Sequence, residues 1–137
     1  MPSRWLVGAL LAAIGALLAP IAIATTLVWE VSFGEKSCEI SAEGLKEIAD
    51  FADYAKYSGV HRIALDASAS IEEAGDAVDR LAQCRGDAVK AQLLRDGVDR
   101  AEFDVKVQDT SDIWRRRARD WTPEADRKVI IYATERR

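Results

Sequence analysis

Val60-His-Arg-Ile-Ala-Leu-Asp-Ala-Ser-Ala-Ser70 changes its hydrophobic period partway along, and that change organises the chain. Val60 to Asp66 alternates well enough for a half-buried strand. The pattern breaks at Ala67-Ser-Ala-Ser. Helical spacing then takes over at Ala74, Val78, Leu81, Cys84/Arg85 and Ala88/Val89. A strand that ends in a small-residue loop beside a helix carrying Arg85 is a place to hold a carboxylate.

Working outward, Leu27–Phe33 reads as a first strand and residues 34–40 as loop. Ser41 is an N-cap with Glu43 in the first turn, opening a helix to about Tyr57. Its core-facing stripe is Leu45, Ile48, Ala52 and Ala55, and Ser58-Gly59 closes it. Ser70 stands three residues before Glu73 in a capping-box pattern, so it caps the next helix or contacts a ligand. That helix runs to about Asp96, where Gly97 ends it. Gly75 and Gly86 weaken it by roughly 1 kcal/mol each unless close packing offsets the loss. Phe103, Val105 and Val107 alternate with polar residues as a third strand. Thr122-Pro-Glu starts a brief helix with Pro123 at its first position, and Val129–Thr134 is the last strand. The fold class is an α/β (α+β) two-layer sandwich, β-α-β-α-β-loop-β with a mixed sheet. Its first βαβ crossover is right-handed.

The residues now also resemble a known family, the OmpA-like C-terminal domain. Val31-Ser-Phe-Gly-Glu-Lys-Ser-Cys-Glu-Ile-Ser-Ala-Glu-Gly44 is similar to that family's first strand, loop and S-P-E-G helix start. Arg62-Ile-Ala-Leu-Asp-Ala-Ser-Ala-Ser70 sits where the family has R-I-x-V-x-G-H-T-D. Leu81-Ala-Gln-Cys-Arg-Gly-Asp-Ala-Val89 sits on L-S-x-R-R-A-x-x-V, and Asp126-Arg-Lys-Val129 resembles N-R-R-V. The resemblance covers roughly the last three-quarters of the chain. It implies the two-layer fold and a pocket that grips the diaminopimelate of peptidoglycan.

Carried over residue by residue, the pocket is degenerate. The family's carboxylate-binding Arg falls on Arg85. Its ammonium-accepting Asp falls on Ser70, its Thr on Ala69, its His on Ser68, its Gly on Ala67 and its Asn on Val78. A serine brings no charge, so the charge-assisted half of the clamp is missing, a loss of roughly 1.5–3 kcal/mol. Asp66 is one residue from the motif but its strand position turns it to the opposite face. An acidic side chain from elsewhere, placed opposite Arg85, would restore the argument for wall binding. Without one, Arg85 is either a clamp or the partner of an in-chain acceptor.

The chain has 19 Lys+Arg and 23 Asp+Glu, and residues 5–29 carry no charge. Leu6–Val28 would span about 35 Å as a helix, enough to cross a bilayer. Arg4 precedes it, Glu30 and Glu35 follow, and Trp5 and Trp29 bracket it like interfacial anchors. Residues 1–29 are therefore a transmembrane anchor with a cytoplasmic N-terminus, or a signal peptide cut after Ala22-Ile-Ala24. Residues 30–137 form a periplasmic domain of a bacterial inner-membrane protein. Gly8, Ala12, Gly15, Ala16 and Ala19 make a small-residue face open to a partner helix. The span holds no ionisable residue, which separates the chain from the flagellar stator proteins that join an Asp-bearing helix to a similar domain. Setting Arg4 aside leaves 18 Lys+Arg against 23 Asp+Glu, a net charge of −5, which argues against nucleic acid.

Cys38 and Cys84 are an even pair in an oxidising compartment. In the resembled fold the loop after the first strand passes close to the Arg-bearing helix, which implies a disulfide beside Arg85. Two separate thiols are the alternative. Trp114, Arg115, Arg116, Arg117, Arg119 and Trp121 form a basic run between tryptophans, suited to a protein partner, to anionic lipid, or to a solvated turn. His61 stands alone, with no metal-ligand spacing, nucleophile motif or phosphate loop, so no metal, cofactor or catalysis is expected. Two readings follow. One is an interaction or scaffold subunit of an envelope membrane complex, with a membrane-protein partner or a second copy of itself. The other is a peptidoglycan anchor with a modified pocket.

Overall fold

The computed structural model describes residues 27–108 and 121–134. Strand β1 is Val28–Ser32, helix α1 Ala42–Ser58, strand β2 Arg62–Ala67, short helix α2 Ile71–Ala74, helix α3 Val78–Arg95, strand β3 Glu102–Val107 and strand β4 Lys128–Ala133. Single 3-10 turns at Gly75–Ala77 and Pro123–Asp126 complete the order. Beginning at Val28, β1 takes the end of the apolar run into the sheet. Trp29 packs edge-on to Phe51, centroids 4.9 Å apart, and beside Tyr54. It belongs to the domain core rather than to a membrane interface. The span expected before it lies outside the described residues. Among the described residues no helix is long and apolar enough to cross a membrane.

The strand order is β1-β4-β2-β3. β2 pairs parallel with β3 and antiparallel with β4, and β4 also pairs antiparallel with β1. The first crossover thus joins two strands that are not neighbours, because β4 inserts between them. Val31, Ile63, Leu65, Val129 and Ile131 point to one face, where Ile48, Phe51, Val89 and Leu93 of α1 and α3 close the core. Alternation in the strands and helical spacing above them bury the same layer, as the two periods require.

Two local expectations change. The α1 stripe runs through Gly44, Ile48, Phe51, Ala52 and Ala55, while Leu45 is exposed. Gly44 carries the approach: a Cβ there would stand 2.9 Å from Ile40 Cγ2 and 3.1 Å from Val31 Cγ1, so the helix start lies against β1. Ser41 Oγ caps it by accepting from Gly44 N at 3.1 Å. The second helix is not continuous from Ser70. Gly75 adopts φ 52°, ψ −127°, a conformation side chains disfavour, and separates α2 from α3. The break turns α2 so that Glu73 faces the body of the domain.

Candidate functional site

The site lies where β2 ends, between the Ala67–Ser70 loop, the 34–40 loop and α3. Arg85 enters it because α3 lies close to the sheet at the next residue. A Cβ on Gly86 would stand 2.5 Å from Val105 Cγ1 and 3.2 Å from Ala67 Cβ, so only a hydrogen fits.

Arg85 is 0 % exposed, and its surroundings are built from its own chain. Nε donates to Ser37 O at 2.9 Å. Nη1 donates to Ser68 O at 3.1 Å and Glu73 Oε2 at 3.1 Å, and Nη2 to Gly34 O at 3.0 Å and Glu73 Oε1 at 2.5 Å. A guanidinium has five N–H donors, and every one is directed at an in-chain acceptor. The Phe33 ring lies 5.4 Å from Arg85 Cζ, adding a cation–π contact.

Glu73 is equally enclosed, its side chain 0 % exposed. Besides Arg85, Oε1 accepts from Lys36 N at 2.9 Å, and Oε2 accepts from Ser70 N at 2.7 Å and Ser70 Oγ at 3.0 Å. Arg127 Nε is 3.9 Å from Oε2. Burial alone would raise the Glu73 pKa. Hydrogen bonds from Arg85, from the Ser70 and Lys36 amides and from the Ser70 hydroxyl outweigh it and bring the value from 4.5 to about 2. Glu73 is therefore a carboxylate at neutral pH.

Arg85, Ser70 and Ala69 are therefore brought together, but all are buried. Ser70 is the cap of α2, with Glu73 reaching back to its amide in the capping-box manner. Ser68 Oγ donates to Lys128 O at 3.1 Å. The Tyr132 pKa is raised by burial and by the nearby Asp66 carboxylate. An acidic side chain does stand opposite the guanidinium. It is Glu73, the acidic group on which the sequence made wall binding depend, and both its oxygens are taken by donors of Arg85, Ser70 and Lys36.

Cys38 and Cys84 are joined in a disulfide with 5.8 Å between Cα atoms. It connects the residue after Ser37 to the residue before Arg85, fixing the loop over the pair. Trp114, Arg115, Arg116, Arg117 and Arg119 lie outside the described residues. Trp121 donates from Nε1 to Asp126 Oδ2 at 3.1 Å, packing onto the turn before β4. Among the described residues no group of His, Cys, Asp and Glu is placed to hold a metal ion.

Glu73 is the residue that sequence reasoning missed as a site member. Its capping-box spacing from Ser70 was legible, but its bond to Arg85 depends on the turn at Gly75. The carbonyls of Gly34 and Ser37 carry no signal in side-chain identity.

No protein-family model matches the sequence, and no curated protein matches it at a significant level. Solved structures do. The OmpA-like domain of FopA1 from Francisella tularensis subsp. tularensis SCHU S4 superposes with a TM-score of 0.65 at 19 % identity, over 85 % of this chain and 81 % of that one. The peptidoglycan-associated lipoprotein from Burkholderia pseudomallei gives 0.65 at 17 % identity, over 77 % and 90 %. The cell wall anchor of the T6SS from Pseudomonas aeruginosa gives 0.55 at 17 % identity, over 78 % and 81 %. At these identities the likeness is one of architecture. The chain has the OmpA-like fold.

Proposed function

We propose that this chain is a non-catalytic, membrane-anchored module of the bacterial cell envelope that works as an interaction or scaffold subunit. The apolar segment before β1 holds it in the inner membrane, and the domain that begins with β1 at Val28 faces the periplasm. The observation that carries this reading is the saturation of Arg85. A guanidinium whose donors all end on Glu73 and on backbone carbonyls offers nothing to an incoming carboxylate, and Ser70 offers no charge to an ammonium. A membrane-protein partner or a second copy of the chain would bind instead through surfaces such as the Trp114–Trp121 run or the small-residue face of the anchor.

Sedimentation with purified peptidoglycan tests the proposal, using the wild-type chain, Arg85→Ala and Ser70→Asp. The expected result is no wild-type binding above a non-binding control. Strong wild-type binding abolished by Arg85→Ala overturns it. Gentle solubilisation of membranes should return the chain in a larger assembly, and a lone monomer would count against a scaffold role. The second reading, a peptidoglycan anchor with a modified pocket, draws support from two structural neighbours, a peptidoglycan-associated lipoprotein and a cell wall anchor.

A further inference from the structure

We infer that the Cys38–Cys84 disulfide is a reducible latch on the Arg85–Glu73 pair, and that a dithiol reductant opens the pair to an external carboxylate. The inference rests on reading the Arg85 site as closed. Its test is read at Arg85 itself, so its failure is distinguishable from a failure of the wall-binding experiment.

Three observations converge. The first is placement. The disulfide and the hydrogen bond from Arg85 Nε to Ser37 O bridge the same two segments, one residue apart at each end. The second is shared dependence. Gly34 O, Lys36 N and Ser37 O tie the loop to Arg85 or Glu73, so the loop cannot lift without releasing the pair. The third is tension and access. Lys36 has φ 56°, a left-handed conformation that disfavours a side-chain-bearing residue, and its amide is held there by Glu73. Cys84 is exposed and Cys38 half-buried. A shallow groove lined by Lys36, Glu73, Ala77 and Arg80 adjoins the pair.

The chemistry is thiol–disulfide exchange. A thiolate of the reductant attacks Cys84 Sγ, the S–S bond breaks and Cys38 leaves as a thiolate. The reductant's second thiol then resolves the mixed disulfide. Two electrons pass to the protein, both cysteines take up protons, and the dithiol becomes a disulfide. Loss of the bond removes the tie that keeps residue 38 against α3. The strained loop relaxes, Gly34 O and Ser37 O withdraw, and Arg85 recovers donors for a solute carboxylate. Linkage makes the coupling mutual: whatever loosens the pair also makes the disulfide easier to reduce.

The test is arginine-specific labelling with phenylglyoxal, mapped by peptide mass spectrometry on the full-length chain in detergent. Arg62, whose side chain is 50 % exposed, is the internal standard. Three forms are compared: oxidised wild type, dithiothreitol-reduced and alkylated wild type, and Cys38→Ala/Cys84→Ala. In the oxidised form Arg85 should react at least tenfold more slowly than Arg62. In the other two forms it should react at least tenfold faster than in the oxidised form, with Arg62 unchanged and far-UV circular dichroism retained. Acetate should slow Arg85 labelling in the opened forms, and chloride at equal ionic strength should not. The inference is overturned if Arg85 stays protected in both opened forms, or if chloride protects as well as acetate. Loss of all secondary structure on reduction, or two free thiols in the unreduced protein, overturns it equally.

Discussion

Replacing Glu73 by Gln keeps the size of the side chain and removes its charge, which isolates what the carboxylate contributes. The fall of the Glu73 pKa from 4.5 to about 2, at about 1.4 kcal/mol per pKa unit, corresponds to about 3 kcal/mol of folding stability. That figure agrees with the 3–5 kcal/mol typical when one partner of a buried ion pair is lost. The sign follows from proton binding. Between about pH 2 and 4.5 the unfolded chain holds a proton on Glu73 and the folded chain does not, so stability rises with pH there. The contribution is complete above about pH 4.5 and lost as pH falls towards 2. Urea unfolding of wild type and Glu73→Gln at pH 7, 4.5, 3 and 2.5 measures it. The variant should be about 3 kcal/mol less stable at pH 7, a midpoint shift of roughly 1–3 M at ordinary urea slopes. The difference should shrink steadily towards zero at the acid end, where Gln and protonated Glu are near equivalents. A difference below 1 kcal/mol at pH 7, or one that does not change with pH, would refute the account of the pair.

Arg85→Ala leaves Glu73 buried without its principal cation and should cost about 3–5 kcal/mol in thermal or urea unfolding. In the double variant with Glu73→Gln the two losses should be clearly less than additive, since they remove one interaction. Cys38→Ala/Cys84→Ala releases a link across 46 residues of sequence, worth about 4 kcal/mol on the chain-entropy account, and the melting temperature should drop accordingly. Gly86→Ala places a methyl 2.5 Å from Val105 Cγ1 and should destabilise by about 1–3 kcal/mol, despite alanine's better helix propensity; no loss, or a gain, would show that α3 can stand further from the sheet.

Much of this architecture was legible in the chain because each element carried its own signal. Ser41 and Gly59 marked the ends of α1, and Phe103, Val105 and Val107 marked β3 by simple alternation. What could not be read was the geometry between elements. Leu45 looked like a core residue because spacing fixes a stripe only to within a position, and the close approach at Gly44 decided it. The insertion of β4 between β1 and β2 is a long-range pairing with no local trace. At the site, the motif offsets located Arg85 and Ser70 and the cysteine pair, but Glu73 passed as an ordinary capping residue. Its partner lies 12 residues away on another helix, reached only because Gly75 bends the chain.

The position of β4 also sets an order of events for the nascent chain. Residues up to 107 can form three strands and both long helices, yet the place between β1 and β2 stays empty until Lys128–Ala133 arrives. Until then two sheet edges flank an open slot, the kind of surface that captures a stray strand from another molecule. Strand β4, the last of the four in chain order, is thus the keystone of the sheet. Deleting residues 128–137 would remove β4 entirely and leave the slot open rather than merely trim a tail.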